Sequence, residues 1–543
     1  MATNVRSKND SVAMVLERYD RANSRKQESD GLRQEAGYYS WPNAWRQVHN
    51  IEQSEGEQNT LNLYDSTALM SAFTLTSGLF SFLMPAGAFW FGFTAQDPKL
   101  NENPTMLQWM SMASSATHKE IWRSNFQREM FMTIRSMVVF GTGIISVELI
   151  GKDLVFQSHH VGFMAFDDNN RGEIDTVYRK IFYTTRQAVQ EFGIDIKRSK
   201  TIQKAITGRK WDDKFEFVHV VSPNKDFDQT KIGAKNKKVK SQYIMIKDKT
   251  VVKRGGFDQL PYLVARFALV PGEIMGRGPA IELLPEIKML NRMKSSFIEA
   301  AEKSVNPPLI AEDDGVVGQP VTEPNGMIYV RAGSQFPVPL NTGANLQINA
   351  EVLRDQQMVV KEGFLINRFN TLEDKRNMTA FEVGVRKEDD LTIVSPQVTP
   401  LQKETLDPLI TRSLELLVKA KRVPEPPQTF DFDIAYQGRL SLAMASVQSN
   451  AMEAVLAKWQ PYGEITPVYQ NVNFDKGFRT SWLAGGAPAD VLTDFDEMMK
   501  ERKEAEDLQK AAAQAQIAET ASKALKNVSG AAEEGSVAEQ LVG

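Results

Sequence analysis

The longest apolar stretch of the chain runs from Ser66 to Gln96 without a charged side chain. Apolar runs of about 18 residues or more are typical of membrane spans. Small and hydroxyl side chains nevertheless recur here at helical spacing, whereas a spanning helix is apolar on every side. They are Ser66, Thr74, Ser77, Gly78 and Ser81. Pro85 and Gly87 should end the helix before "AFWFGF", whose aromatic run favours a strand.

We therefore predict a helix, a turn and a strand, with the helix buried inside a soluble protein. The small side chains of this helix would allow close packing, and its large apolar side chains would be buried. These large side chains are Leu69, Phe73, Leu75, Leu79, Phe80, Phe82 and Leu83.

Helical spacing of apolar residues recurs along most of the chain. It predicts helices at Ser11 to about Tyr39, Pro104 to about Val138, Pro279 to Ser304, Ile348 to Phe369, and Thr379 to about Arg422 with a break at Pro396 and Pro400. Between them, "VVFGTGIISVELIG", "FMAFDDNNRGEIDTVYRKIFY", "SQYIMIKDKTVVKRGG", "PYLVARFALV" and "TFDFDIAY" have strand patterns. The fold class is therefore α+β and mostly helical.

The C-terminal part is predicted to hold helices at about 440–460 and 468–484, followed by a tail rich in Ala, Glu, Lys and Gln from Ala489. The tail could form a helix as far as about Lys526. Its apolar side is mostly alanine, so its order could depend on neighbouring copies.

Composition narrows the function classes. The 543 residues include 64 Lys and Arg against 68 Asp and Glu, a formal charge of -4, so no overall basic excess indicates tight, static nucleic-acid binding. The absence of cysteine excludes disulfides, thiolate metal sites and a cysteine nucleophile. The polar start "MATNVRSKNDS" lacks the apolar core of a secretory signal.

A search for an active site is negative. The five histidines, His49, His118, His159, His160 and His219, form no metal-binding motif, and no phosphate-binding P-loop occurs. "GTG" at 141–143 is interpreted as a strand turn, and "DDNNRGE" from Asp167 as a hairpin turn rather than a calcium loop. We predict no catalytic residue, no metal and no cofactor.

Three charged segments are candidate contact sites. One is a possible basic patch in "KIGAKNKKVK", at Lys231, Lys235, Lys237, Lys238 and Lys240, for which a solvated hairpin tip is the favoured interpretation. Another is an acidic turn at Glu312, Asp313 and Asp314. The third is a short loop between two long helices, with Glu373, Asp374, Lys375, Arg376 and Asn377, which would present a collar of charge if it were repeated around a ring.

The order of several segments resembles the portal proteins, the head-to-tail connectors of short-tailed bacteriophages. The segments are "YDSTALMSAFTLTSGLFSFLMPAGAFWFGF", "LPYLVARFALVPGEIMGRGPAIELLPEIKMLN", "NPPLI", "MTAFEVGVRKEDD", "TPLQKETLDPLITRSLELL" and "VPEPP". The resemblance covers roughly residues 10–510. It implies a ring of twelve copies at one capsid vertex, at the head-tail junction of the virion, enclosing a channel for double-stranded DNA.

The resemblance also implies a division into wing, stem, clip and crown. The wing would be 1–277, the first stem helix 278–304, the clip 305–347, the second stem helix 348–370, the tunnel loop 371–378, the long kinked helix and a wing strand 379–438, the crown 439–510, and an alanine-rich tail 511–543. The 371–378 loop would face DNA, and the acidic turn of the clip would dock partners.

The implied partners are other copies of the chain, double-stranded DNA contacted without sequence specificity, the terminase packaging motor, tail adaptor proteins, and the major capsid and scaffolding proteins. Assembly would take place in the host cytoplasm, and no membrane is involved. The implied protein is a conduit for packaging and ejection rather than an enzyme. Two other classes remain open from the residues alone, a DNA-processing nuclease and a peripheral membrane protein.

Overall fold

The computed structural model describes most of the chain between residues 12 and 530. It covers 12–49, 60, 62–85, 89–97, 100, 103–228, 233, 236–313, 315–319, 321, 326–340, 346–369, 398–427, 430–436, 455, 474–484 and 495–530. Met1–Ser441 and Leu442–Gly543 form two compact units, which are described separately.

The first unit combines helices and strands, which confirms the predicted α+β class. Its helices are α1 Val12–Ser40, α2 Thr67–Leu83, α3 Pro104–Arg123, α4 Phe126–Phe140, α5 Thr185–Phe192, α6 Lys200–Thr207, α7 Pro279–Glu282, α8 Leu284–Val305, α9 Leu346–Gly363, α10 Ile366–Phe369 and α11 Asp407–Lys419. Its strands are β1 Phe91–Ala95, β2 Thr142–Ile150, β3 Asp153–His159, β4 Met164–Asp168, β5 Ile174–Thr184, β6 Lys214–Pro223, β7 Val239–Met245, β8 Thr250–Phe257, β9 Tyr262–Arg266, β10 Leu309–Ile310, β11 Val338–Pro339 and β12 Phe432–Tyr436.

The largest sheet is antiparallel, with five strands in the order β4-β5-β6-β7-β8. Successive side chains of a strand point to opposite faces, and β6 shows the result. Val218 and Val220 pack with Leu16 and Tyr19 of α1, whereas Phe217 packs with Phe192 of α5 on the other face. The sheet is therefore covered by α1 on one face and by the α5 and α6 region on the other.

Two smaller sheets complete the body of this unit. One has three antiparallel strands in the order β3-β2-β9, and the other pairs β1 with β12. The β1 and β12 pair joins positions 91–95 to 432–436, so the C-terminal part of this unit returns to pack beside its start.

The uncharged segment forms the predicted helix, turn and strand as α2 and β1. Leu75 and Leu79 are buried, but Phe73 is 46% exposed in the single chain. The Thr74 and Ser77 hydroxyls donate to the carbonyls of Met70 and Phe73 in their own helix, at 2.9 Å each. Within the described residues, no helix is both long and apolar enough to span a membrane.

The single helix predicted from Pro104 to Val138 is wrong, because the chain breaks between α3 and α4 at Ser124 and Asn125. The amide of Asn125 donates to the Phe156 carbonyl at 2.7 Å, and its oxygen accepts from the Phe156 N–H at 2.9 Å. Ser and Asn side chains compete in this way with helical hydrogen bonds. The break attaches the start of α4 to β3.

The long helix predicted from Thr379 is described only from residue 398, so its first part and Pro396 lie outside the described residues. A π-helical turn, Gln402–Leu406, separates its start from α11. Pro408 follows this turn and has no N–H to donate, which favours a local change of hydrogen bonding there. Arg266 of β9, which is buried, binds Glu404 of the turn at 3.0 Å from Nε to Oε2.

In the described part of the second unit, the two helices are α12 Phe474–Ala484 and α13 Phe495–Gly530. Arg502 of α13 binds Asp475 of α12 at 2.7 Å. The tail helix α13 ends at Gly530, slightly beyond the predicted end at Lys526.

Candidate channel and docking surfaces

Two helices, α8 and α9, form an antiparallel pair. The amide of Gln356 in α9 donates to the carboxylate of Glu286 in α8. Further along, Gly363 lies against the side chain of Leu283, where an added Cβ would come within 2.5 Å of Leu283 Cδ1. These contacts pair the start of α8 with the end of α9, as expected for a helical hairpin.

The base of this hairpin is attached to the body of the unit. The Asn291 oxygen accepts from the backbone N–H of Tyr64 at 2.8 Å and of Asp65 at 3.2 Å, just before α2. The amide of Gln357 donates to Asp65 at 2.9 Å. Both helices therefore have side chains bonded to the segment that leads into the uncharged helix.

The entry into the hairpin is held by a close contact between two glycine motifs. The N–H of Gly276 donates to Thr142 Oγ1 at 3.0 Å, and Gly141 lies with positive φ against the same segment. A Cβ on Gly141 would lie 2.1 Å from the Gly276 oxygen, and one on Gly278 would lie 2.3 Å from the Val138 oxygen. Only glycine permits these backbones to approach so closely.

This contact involves residues that sequence reasoning did not identify. The prediction of a strand turn at "GTG" is wrong, because Gly141 ends α4 and β2 begins at Thr142, and "GRGP" is predicted only as the start of a helix. Two glycine-rich motifs that lack the features of a phosphate-binding loop indicate that two backbone segments approach closely. This signal could have identified the contact.

Apolar side chains remain exposed along the hairpin. A groove between α8 and α9 is lined by Met289, Arg292, Met293, Ser296, Phe297, Val352 and Leu353. Met289 is 45% exposed and Val352 is 48% exposed. An exposed apolar groove of this kind is typical of a surface that is covered in an assembly.

Two of the charges on α8 have partners within the chain. Lys288 binds Glu35 of α1 at 3.0 Å, and Glu286 accepts from Gln356. The ammonium group of Lys294 lies 5.9 Å from the centre of the Phe297 ring, a cation–π distance.

The segment between the two helices is held together by a few short pairings. β10 pairs with β11, and the Val317 N–H donates to the Tyr329 carbonyl at 2.9 Å. Its large exposed apolar side chains are Ile310, Val317, Val321, Met327, Tyr329, Phe336, Val338 and Leu340. Phe336 is 79% exposed, so the single chain leaves much of this segment without a hydrophobic cover.

The acidic turn lies on this same segment. Glu312 and Asp313 are exposed, and Asp314 lies outside the described residues. The Glu312 carbonyl accepts from the Gly315 N–H at 3.0 Å, which closes the turn. The structure thus places the two described carboxylates at the surface, where a partner could reach them.

The charged loop with Glu373, Asp374, Lys375, Arg376 and Asn377 lies outside the described residues, which stop at 369 and resume at 398. In the sequence, this loop comes after α10 and before the π-helical turn. Its proposed role therefore stays a prediction.

The basic patch is divided by the structure. Lys231 and Lys235 lie outside the described residues, and Lys238 is exposed. Lys237 binds Asp258 at 2.9 Å, and Lys419 of α11 binds the same carboxylate at 2.6 Å. The hydrogen bonds from Lys419 and then Lys237 hold the pKa of Asp258 below its usual range. Lys237 therefore has a structural partner, and Lys240 lies within β7.

The described residues contain no group of three or more possible metal ligands. His159 is hydrogen-bonded to Ser146 at 2.8 Å, and His219 contacts Tyr262 at 2.7 Å and Ser241 at 2.8 Å. Burial lowers the pKa of His219 to about 3, so the imidazole is neutral and packs as a core residue. "DDNNRGE" forms the turn of the β4–β5 hairpin, as predicted, where Asn169 Oδ1 accepts from the Arg171 N–H at 2.8 Å.

The exposed apolar hairpin and its anchored base indicate a protein that assembles with other chains. The comparison with known families agrees. The model of the bacteriophage head to tail connecting proteins matches residues 13–492. The chain belongs to this family.

Two curated proteins are similar over most of their length. The "Probable portal protein" of Bordetella phage BPP-1 is 26% identical over 516 residues, which cover 89% of this chain and 92% of that protein. The "Portal protein" of Salmonella phage epsilon15 is 23% identical over 409 residues, or 74% of this chain and 72% of that protein. The predicted class, a head-tail connector without enzymatic activity, is therefore confirmed.

Proposed function

We propose that the chain is the portal protein of its phage, a ring of twelve copies at the capsid vertex where head and tail meet. The ring would form the channel for double-stranded DNA during packaging and ejection. It would also dock the terminase and the tail adaptors, after assembly in the host cytoplasm with capsid and scaffolding proteins. Family membership and the two portal relatives support this proposal.

The observation that carries the ring is the apolar surface left open on the α8–α9 hairpin and on the segment between its helices. Large apolar side chains on one protomer need a cover, and head-to-tail contacts between identical copies supply one while closing into a ring. In this proposal the hairpin is the stem, residues 305–347 are the clip, and the body of the first unit is the wing. Residues 439–510 are the crown.

The DNA channel is consistent with the charge of the chain. Each phosphate that a protein neutralises adds to a salt-dependent affinity, so a strongly basic channel would retain DNA instead of letting it slide. The formal charge of -4 and the ion pair of Lys288 with Glu35 fit a surface that holds DNA weakly.

Negative-stain imaging together with sedimentation velocity of the purified chain tests the ring. We expect a closed ring with a central hole wide enough for a DNA duplex. A chain that stays monomeric even with capsid and scaffolding proteins present would contradict the proposal.

The double variant Lys375→Ala/Arg376→Ala tests the tunnel loop. We expect ring assembly to be unchanged but DNA packaging or retention to fall severalfold, because the loop would lose its cationic contacts with the passing duplex. The measurement is the DNA content of assembled particles. The matched control is Lys119→Ala/Lys152→Ala, which removes two exposed charges from the body. Equal DNA filling in the two variants would refute the tunnel-loop assignment.

The triple variant Glu312→Lys/Asp313→Lys/Asp314→Lys, which reverses the charge of the acidic turn, tests the clip. We expect rings that form but attach tails or terminase severalfold less well, because like charges then face a basic partner. Pull-down of each partner by purified rings measures the loss. Glu17→Lys/Asp20→Lys/Glu28→Lys, on the exposed side of α1, is the control. Attachment equal to that of the control would show that the turn is merely solvated.

A further inference from the structure

One end of the five-stranded sheet carries a compact basic lobe, residues 185–214 together with the β7–β8 turn at 246–250. The Thr185 hydroxyl donates to the Lys210 carbonyl at 2.7 Å, and the Arg186 N–H donates to the Trp211 carbonyl at 3.3 Å. The Ser199 hydroxyl reaches Asp248 of the turn at 2.6 Å. The lobe also has its own core, which includes Phe192, Ile196 and Ile202 packed on the sheet.

The charge of the lobe contrasts with that of the chain. The lobe has ten Lys and Arg against five Asp and Glu, a formal charge of +5 within a chain of -4. The basic residues are Arg186, Lys197, Arg198, Lys200, Lys204, Arg209, Lys210, Lys214, Lys247 and Lys249. All of these from Lys197 onward are exposed. Such asymmetry within a near-neutral chain indicates a local anion-binding surface.

Three of the five acidic side chains already have partners. Glu191 binds Lys253 at 3.0 Å, and Asp195 binds Arg198 at 3.1 Å. Asp248 accepts from the Ser199 hydroxyl and from the Thr201 N–H, at 2.6 Å and 3.0 Å, and so caps the start of α6. Lys200 and Lys204 of α6, and the cations in the turns on either side of this helix, still face solvent.

Two of the cations occupy strained backbone positions. Arg209 has φ of 53° and Lys249 has φ of 48°, both in the left-handed region. Glycine or asparagine would adopt this region more easily, so long cationic side chains raise the energy of both turns. The two positions thus hold charge at the tips of the lobe despite a backbone penalty.

We propose that the basic lobe binds the phosphate backbone of double-stranded DNA without sequence specificity. Interfaces with proteins depend on buried apolar anchors. Among the described side chains of the lobe, Trp211, at 43% exposed, is the one large hydrophobic that is strongly exposed. A surface of many lysines with a single aromatic fits repeated phosphates better than a protein partner.

This surface differs from the patch that the sequence indicated at Lys231 to Lys240. β6 leaves the lobe at Lys214 and ends at Pro223, before the loop that carries that patch. The described residues of that patch, Lys237, Lys238 and Lys240, therefore lie at the opposite end of β6 and β7 from the lobe. Binding at the lobe is a property of one subunit and does not require a channel.

The test compares Lys197→Gln/Lys200→Gln/Lys204→Gln with Lys119→Gln/Lys152→Gln/Lys421→Gln in the full chain. Each variant removes three exposed lysine charges. The control lysines are the sequence neighbours of Glu120, Asp153 and Arg422, and Arg422 binds both carboxylates. The probe is a fluorescent DNA duplex of arbitrary sequence, and its anisotropy is measured over a series of salt concentrations.

We expect the lobe variant to bind the duplex at least about tenfold more weakly at low salt, and its salt slope to fall by roughly one to three. The control variant should bind like the natural chain. Equal affinities in the two variants, or no binding of the duplex by the natural chain, would overturn the proposal. Loss of binding to a polyglutamate peptide but not to the duplex would instead assign the lobe to an acidic protein.

Discussion

Gly141→Ala is expected to destabilise the chain by about 4 kcal/mol or more, a loss that single substitutions rarely cause. Two effects add. The positive φ of 79° at Gly141 strains any residue with a Cβ, at roughly 1–2 kcal/mol. The new Cβ would also lie 2.1 Å from the Gly276 oxygen, whereas real Cβ contacts essentially never fall below 3.0 Å. Backbone must therefore move.

That movement would break the hydrogen bonds that hold the entry into the α8–α9 hairpin. The Gly141 carbonyl accepts from the Phe267 N–H, and the Gly276 N–H donates to Thr142 Oγ1, at 3.0 Å each. Since the overlapping atom, the Gly276 oxygen, belongs to the backbone and not to the end of a flexible side chain, no rotamer change can relieve the overlap. The loss should appear as a lower urea midpoint or as loss of soluble protein.

Gly151→Ala is the matched control for Gly141→Ala. Gly151 also has positive φ, at 67°, but nothing lies within 4 Å of its added Cβ. Gly151→Ala should therefore lose only roughly 1–2 kcal/mol of stability, from backbone strain. The difference between the two variants then measures the close approach itself. If both variants unfold at the same urea concentration, the glycine contact does not stabilise the entry into the α8–α9 hairpin.

The sequence could predict those parts of the fold that depend on apolar periodicity or on a proline or glycine within the same segment. The apolar spacing of α1, α8 and α9 and the proline and glycine after Leu83 are signals of this kind. The break at Asn125 could not be predicted, because it depends on two hydrogen bonds to Phe156, which is distant in sequence. The contact of Gly141 with Gly276 has the same character.

The candidate site was predictable to different degrees. Surface placement of Glu312 and Asp313 follows from a polar turn rich in glycine. The pairing of Lys237 with Asp258 and Lys419 does not, since Lys419 comes from a helix about 180 residues later in the chain. The basic lobe was missed because its cations are spread over two helices, three turns and the start of β6, so no single run stands out. Folding brings Lys247 and Lys249 beside the start of α6 through Asp248.

Acidification is expected to destabilise the chain through three buried histidines. Burial, and then the charges of Arg179 and Lys253, lower the pKa of His219 to about 3. Burial, and then Lys26, lower that of His160 to about 3, and burial lowers that of His159 well below 6.5. The unfolded chain binds a proton at each near pH 6.5, whereas in the folded chain His160 and His219 do not bind one until near pH 3. Stability is therefore complete above about pH 6.5 and falls as the pH drops through this window.

His160 and His219 should each remove about 2 kcal/mol by about pH 5, since the slope is about 1.4 kcal/mol per pH unit for one proton. These two losses, to which His159 adds in the same direction, are a large share of the total stability of many domains, about 5–15 kcal/mol. His160→Asn isolates one contribution. His160 Nδ1 accepts from the Gly162 N–H at 3.0 Å, and an asparagine oxygen can accept the same bond without titrating.

Urea unfolding followed by tryptophan fluorescence at about pH 8 and about pH 5 measures the effect. The natural chain should lose several kcal/mol between the two conditions, and His160→Asn should lose about 2 kcal/mol less. Carboxylates that pair in the folded state, such as Asp258, contribute equally to both proteins and cancel in the comparison. An identical acid loss in both proteins would mean that His160 is already protonated in the folded chain, and its assignment as a neutral core residue would then be wrong.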